Sequence, residues 1–356
     1  MSIRIEPHTI WLVAGVAVGL AVLWVVVSRG LPVLILLFIA IVFAEGIRPL
    51  VDWMGRLMPR ALAILLIYLV LVLIAGILIW LLAQPVLSQA TLLIDHLPDY
   101  ISRLQHLVKH AEQGLGSNVQ FSHQLQRARA DLLGFARSLI PRLIHLPLLL
   151  FGLFFEALTI LFMAYFWLTA VHRLKGFVVG LFPPEAQAEA SETIAELSRK
   201  LGGYVRGVAV NMVLAGIVVW IALTLLGVPY AILLGVVAGL TNLIPIVGTY
   251  IAAISGIGVA LLAGGLLKAG EVWVFYIVFQ QLQGAVIQTY IMRETVKLNQ
   301  LTTLFATLLG GAILGVVGAV IAVPVAVIVE VMVRRALAPA VRRATGAAGR
   351  TSRSQA

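Results

Sequence analysis

The sequence predicts an all-α, polytopic membrane protein of about eight transmembrane helices, two of them proline-broken or hairpin-like, with amphipathic helices outside the bilayer. Three observations carry this. Of 356 residues 61% are hydrophobic and 11% charged, against about 25% charged in soluble domains. Apolar runs of about 20 residues recur along the chain, the length that crosses the hydrocarbon core as a helix. Two of the runs are longer than one span and carry an internal proline, Pro245 or Pro324. Backbone polar groups in lipid need internal partners, so only helices or closed barrels cross it, and the short alternating strands of a barrel are absent from this sequence.

The candidate spans are 10 to 27, 31 to 51, 61 to 83, 146 to 171, 207 to 226, 230 to 264, 271 to 291 and 301 to 333. The first run is read as a retained helix, because no small-residue cleavage site follows it. Residues 1 to 83 thus form three spans. Residues 84 to 145 form an amphipathic, extracytoplasmic segment: Leu97, Ile101, Leu104 and Val108 keep helical spacing, as do Leu125, Leu132, Ala136 and Leu139 after the GLGSN break. A fourth span, 146 to 171, leads to a cytoplasmic amphipathic helix within 172 to 206. That helix starts at Pro183-Pro184-Glu185 and carries Ile194, Leu197, Leu201 and Tyr204 on one face. The C-terminal bundle fills 207 to 335, and the Ala-, Arg- and Ser-rich tail, 336 to 356, is expected to be disordered. Most Lys and Arg outside 84 to 145 fall on one side of these spans and in both tails, which places both termini in the cytoplasm.

Composition also excludes chemistry. Without cysteine there is no disulfide, thiolate metal site or cysteine nucleophile. None of the five lysines precedes Ser or Thr, so no Walker A sequence cradles nucleotide phosphates. Neither a G-x-S-x-G elbow nor H-E-x-x-H occurs. His106 and His110, at i and i+4, lack a carboxylate at matching spacing and read as a solvated face. The net charge of +10 is placed between spans and in the tail, which membrane orientation explains without nucleic acid. No cofactor and no metal are expected.

Polar residues inside apolar runs are costly and tend to face a partner or a cavity. The stretch GLTNLIPIVGTYIAA (239 to 253) holds Thr241, Asn242, Pro245 and Gly248. A proline there frees a backbone carbonyl, which lipid does not tolerate but a cavity does. Broken helices form solute and ion sites in many secondary transporters, so this stretch leads the site candidates, with a hydrogen-bonded kink as the plain alternative. Glutamines cluster in FQQLQGAVIQ; Gln281 and Gln288 share a face at i and i+7, and Gln280 pairs with Gln283 at i and i+3. They line a polar path or bond helix to helix. Glu156, ten residues into the fourth span, is a proton or cation site, or a neutral acid satisfied by a neighbouring helix. Glu271 and Glu330 lie near span ends, where the interface accounts for them. LGVVAGLTNLIP (234 to 245) and LGVVGAVIAVP (314 to 324) suggest a repeated broken segment.

At these residues the chain resembles the autoinducer-2 exporter (AI-2E) family of bacterial permease-like membrane proteins, over roughly residues 10 to 335. The resemblance rests on Asn242-Leu-Ile-Pro245-x-x-Gly248, on GYVRG (Gly203 to Gly207) and on LLGGAILGVVGAVIAVP (Leu308 to Pro324). The chain departs from the family at Thr169-Ala170, where Lys-Asp is usual, and in TYIMRETVKLNQL, which lacks the usual prolines. The resemblance implies a non-ATP transporter of the bacterial inner membrane that exports autoinducer-2 or another small polar solute, or exchanges sodium for protons. It also implies a homo-oligomer, a pentamer among the candidates. In the export reading Thr241, Asn242, Pro245 and Gly248 shape the site, Gln281 and Gln288 line the path, and Glu156 carries a proton. The partners are then a small molecule or ion and the lipid bilayer, and no nucleic acid. A membrane scaffold, with 84 to 145 binding a partner, is the reading from another class.

Overall fold

A computed structural model describes residues 7–115, 134, 146–244, 246–286 and 300–337 of the chain. Among them are seven helices: α1 (Pro7–Met54), α2 (Arg60–Leu115), α3 (Leu146–Gly180), α4 (Pro184–Leu225), α5 (Ala231–Thr241), α6 (Val247–Val286) and α7 (Gln300–Met332), the last running into a π-turn, Val333–Leu337. No strand occurs among the described residues. Among the described residues six segments are long and apolar enough to cross a membrane, and the apolar helix Ala231–Thr241 is shorter. Large side chains face outward throughout, among them Leu69, Leu73, Ile77 and Trp80 on α2 and Phe151, Phe155, Phe162 and Phe166 on α3. In water such a surface would drive aggregation; in lipid it is the solvated one.

The expected turn at 28 to 30 does not form. α1 is continuous for 48 residues through Pro32, so residues 10 to 27 do not fold back on 31 to 51. The short interruption Ser28-Arg29-Gly30 between two strongly apolar stretches is too weak a signal to end a helix whose hydrogen-bond ladder continues. α2 likewise passes Pro85 and Pro98 over 56 residues, about 84 Å at 1.5 Å per residue. The third span therefore continues as one helix past residue 84, and the spacing of Leu97, Ile101, Leu104 and Val108 lies on its extension, whereas Leu125, Leu132, Ala136 and Leu139 lie outside the described residues. The expected cytoplasmic helix and fifth span are also one element, α4, which Pro183 and Pro184 start with Glu185 in the first turn.

Both proline-bearing tracts turn back on themselves, yet glycine and not proline makes two of the three turns. In α6 the backbone leaves the helix at Gly265, φ 75° and ψ −167°, and in α7 at Gly315, φ 63° and ψ −144°. Only glycine occupies this region without strain. The arms of α7 then touch backbone to backbone at Gly310 and Gly318. Pro324 sits inside the second arm. The third turn joins α5 to α6 across residues 242 to 246, where Ile246 has φ 68°, a strained value for a β-branched residue.

Three apolar clusters hold the helices. Ala40, Ala44 and Val51 of α1 meet Ile64 and Tyr68 of α2 and Ala164 and Leu168 of α3. Ala215, Val219 and Leu223 of α4 meet Leu234 and Ala238 of α5 and Ala252, Val272, Tyr276 and Phe279 of α6. Val42, Leu201 and Val327 join α1, α4 and the second arm of α7. Small residues recur at these crossings because close backbone approach, rather than hydrophobic expulsion, stabilises helix pairs in lipid. Where α5 crosses α4, a Cβ on Gly235 would lie 2.9 Å from the Gly216 carbonyl and 2.6 Å from Trp220 Cβ.

Candidate functional site

The close α4–α5 crossing sets the site. Along α4 the inward stripe runs Asn211, Ala215, Val219, Leu223; along α5 it ends Leu234, Ala238, Asn242; along α6 it runs Thr249, Ala252 at one end and Val272, Tyr276, Phe279, Gln283 at the other. Each stripe keeps the three- and four-residue spacing that holds side chains on one helix face. Each also terminates in one uncharged polar residue, and the turns at 242 to 246 and at Gly265 bring the four polar ends together.

Asn242 is 3% exposed, and its amide is the hub. Its Oδ1 accepts from Asn211 Nδ2 at 3.2 Å, Thr249 Oγ1 at 3.2 Å and Gln283 Nε2 at 3.0 Å, while its Nδ2 donates to the Ala238 carbonyl at 2.7 Å. Gln283 Nε2 also donates to Asn211 Oδ1 at 2.6 Å. These donor and acceptor labels follow from the assigned amide orientations. The last carbonyls of α5 accept backbone N–H groups of residues 242 to 244, and the Asn242 and Thr241 side chains add bonds to the same turn. Thr241 Oγ1 donates at 2.8 Å to Val237 and lies 3.0 Å from the Gly248 carbonyl. Gly248 is buried against the Thr241 carbonyl so closely that a Cβ would overlap it.

Of the residues singled out from sequence, the structure therefore joins Thr241, Asn242 and Gly248. Pro245 and Gln288 lie outside the described residues. Gln281 is exposed and does not meet Asn242; Gln283, two positions on, does. Glu156 is exposed on α3 and is not a partner of the cluster. Asn211 was missed, although its signal is plain: it is the lone amide in the apolar run GVAVNMVLAG, the kind of group that lipid does not leave unpartnered. The cluster sits five residues, about 7.5 Å of helix rise, beyond Arg206, at one edge of the apolar part of α4.

Below that edge the bundle is charged. Glu45, 4% exposed, accepts from Arg48 at 3.2 Å and Trp167 Nε1 at 3.1 Å. Arg206 donates to the Gly46 carbonyl at 3.1 Å, where Gly202 of α4 lies against the Glu45 backbone. Asp52 pairs with Arg60 at 3.0 Å. A second network fastens α7 to α4: the buried Glu196 binds Arg334 and, at 2.7 Å, Arg335, while Lys200 reaches Glu330 at 2.6 Å and Arg335 reaches Glu192 at 3.0 Å. No group of three or more potential metal-ligating residues occurs among the described residues.

Comparison with known proteins places this architecture. The family model described as AI-2E family transporter matches residues 12–338. The chain is 27% identical over 305 residues to YrrI of Bacillus subtilis (strain 168), provisionally named a transport protein, with 83% of each chain covered. It is 26% identical over 280 residues to YueF of the same organism, which carries the same provisional name, covering 76% of this chain and 75% of YueF. It is 27% identical over 295 residues to the AI-2 transport protein TqsA of Escherichia coli (strain K12), covering 81% of this chain and 80% of TqsA. With the family model spanning nearly the whole length and the apolar helices to match, this chain is a multi-pass membrane protein of the AI-2E transporter family.

Proposed function

We propose that this protein is a secondary transporter that exports a small polar organic solute, of the autoinducer-2 type, across the bacterial inner membrane, and that the solute passes the Asn211, Asn242, Thr249 and Gln283 cluster. The observation that carries the reading is the chemistry of that cluster. Two amides, a third amide and a hydroxyl converge on one buried point at a helix break, with no carboxylate or ammonium among its partners. Neutral donors and acceptors suit a hydroxylated, uncharged solute, which exchanges their mutual hydrogen bonds for its own at little net change. The name of TqsA supports the solute class.

In this reading the tract 231–264 is a hairpin whose tip, residues 241–249, reaches almost to the charged edge and closes the path there. The charged end faces the cytoplasm, following the bias of Lys and Arg, and both termini lie on that side. Thr241, Pro245 and Gly248 are assigned to the tip, and Gln281, on α6, and Gln288 to the outer path. Assembly as a homo-oligomer, a pentamer included, belongs to the same reading through the family resemblance. Sodium/proton exchange calls for an ionisable group at membrane depth, for which Glu156, on an exposed face of α3, is the candidate, as it is for the proton carrier of the export reading.

The test is flux in proteoliposomes under an imposed proton gradient, with a panel of small polyols, furanoses and their borate esters. Efflux of one or more neutral solutes, reduced at least about tenfold by Asn242→Ala, is the expected result. Sodium-dependent proton movement lost in Glu156→Gln would replace export with antiport, and no flux of any kind would favour a scaffold.

A further inference from the structure

The charged end holds a cavity of about 420 Å³ between α1, α3 and α4, within the roughly 300–1,000 Å³ range of sites that take small ligands. Its space comes from small residues on one face of α4, Ser191, Ala195 and Ser198, at i, i+4 and i+7. Four cations line it, Arg48, Lys175, Arg199 and Arg206, against two carboxylates, Glu45 and Asp52. Both carboxylates are already neutralised, Glu45 by Arg48 at 3.2 Å and Asp52 by Arg60 at 3.0 Å. The other three cations have no carboxylate within 4.0 Å among the described residues. Lys175 Nζ donates only to the Ser198 hydroxyl, at 2.7 Å, and Arg206 spends one guanidinium nitrogen on the Gly46 carbonyl.

Three cations without a directly paired carboxylate, Lys175 half-buried and Arg199 and Arg206 exposed, give the cavity at the edge of the apolar bundle a positive lining that an anion would complement. A phosphoryl group meets the need: it offers several acceptor oxygens to guanidinium forks and an ammonium at once. Basic pockets between transmembrane helices hold lipid phosphates in this manner.

We infer that this cavity binds a phosphate-bearing anion, either a phospholipid headgroup or a free phosphorylated solute, through Lys175, Arg199 and Arg206. The site is separate from the amide cluster and does not rest on the export reading.

The full-length protein in nanodiscs and in lipid-free detergent tests it. The probes are phosphatidylglycerol, with phosphatidylcholine as the neutral control, and inorganic phosphate and pyrophosphate. Native mass spectrometry counts retained lipid; calorimetry reads the soluble anions. Two variants attack the site differently: K175Q/R199Q removes charge, and A195F fills the space while leaving every charge in place. K268Q, a cation paired with Glu271 at 2.7 Å elsewhere on the surface, is the control. Preferential retention of phosphatidylglycerol that falls about tenfold in both variants and not in K268Q supports the site with lipid as its source. Pyrophosphate or phosphate binding with the same pattern supports it with a soluble source. Equal binding by all four proteins, or no preference for either anion over the neutral control, overturns it. Unchanged thermal midpoints of the variants in the absence of anion exclude misfolding as the cause.

Discussion

Removing the hub of the amide cluster is the sharpest perturbation the structure offers. In Asn242→Ala three donors lose their shared acceptor, but Gln283 keeps Asn211 Oδ1 at 2.6 Å, which leaves Asn211 Nδ2 and the Thr249 hydroxyl unpaired. A buried donor left without a partner costs about 1–3 kcal/mol in water-soluble proteins, and measured side-chain hydrogen bonds in membranes average about 0.6 kcal/mol with a maximum near 1.7. Two orphans at the intermediate value of about 1 kcal/mol each give a loss of about 2 kcal/mol. Gln283→Ala leaves one acceptor, Asn211 Oδ1, and costs about 1 kcal/mol on the same footing. The orphaned groups of the two variants are different and simply add, but the Gln283–Asn242 bond itself is lost in both, so the double variant should lose less than their sum by about the worth of that one bond, about 0.6 kcal/mol. Reversible unfolding by titration with denaturing detergent in mixed micelles measures all four corners of the cycle. Additivity within error would show that Asn242 and Gln283 do not touch and would refute the assembled cluster. Gln281→Ala, on the exposed side of the same helix, should change stability by less than about 0.5 kcal/mol.

Three other outcomes follow from the turns and the charged end. Gly248→Ala drives a methyl into the Thr241 carbonyl and should cost about 3 kcal/mol or fail to accumulate folded protein, read as yield of monodisperse protein. Gly315→Ala places a side chain at φ 63°, ψ −144°, a strain of about 1–3 kcal/mol; the expected sign is a lower midpoint in the same detergent titration. Glu196→Gln removes the negative charge shared by Arg334 and Arg335 and turns one of its two acceptor oxygens into a donor, and should loosen α7 from α4 by about 2 kcal/mol, moderated by the exposure of Arg334. Faster proteolysis after the C-terminal arginines, with the amide cluster intact, is its signature.

The break at Thr241 to Gly248 was legible because polar and helix-breaking residues are expensive in an apolar run, whatever their neighbours. The all-α membrane class was legible for the same reason. What composition cannot supply is the rotational phase between segments. Gln281 and Gln283 are equally polar, and only the inward stripe of Val272, Tyr276 and Phe279 selects Gln283. Asn211 could have been found by asking which lone amides continue an apolar face. The tract 301 to 333 is the hairpin that its length suggested, and it turns at Gly315 and not at Pro324, because one glycine with positive φ reverses the chain where a proline only bends it. The turn expected at residues 28 to 30 failed because a short polar interruption does not stop a helix. The cavity of Lys175, Arg199 and Arg206 brings together α1, α3 and α4, a juxtaposition that spacing along one chain does not encode.

The absence of cysteine from the chain permits the most direct test of the central claim, that the amide cluster lies on a water-accessible path and is not sealed packing. Thr249→Cys puts one thiol at the cluster, and Ile254→Cys puts one at a position 71% exposed on the outer face of the same helix arm, toward lipid. Labelling both in liposomes with a membrane-impermeant maleimide should modify Thr249→Cys and spare Ile254→Cys, because the thiolate needed for the reaction forms in water and not in hydrocarbon. If Thr249→Cys is as unreactive as Ile254→Cys from both sides of the membrane, the cluster is a structural knot, and the path must be sought elsewhere.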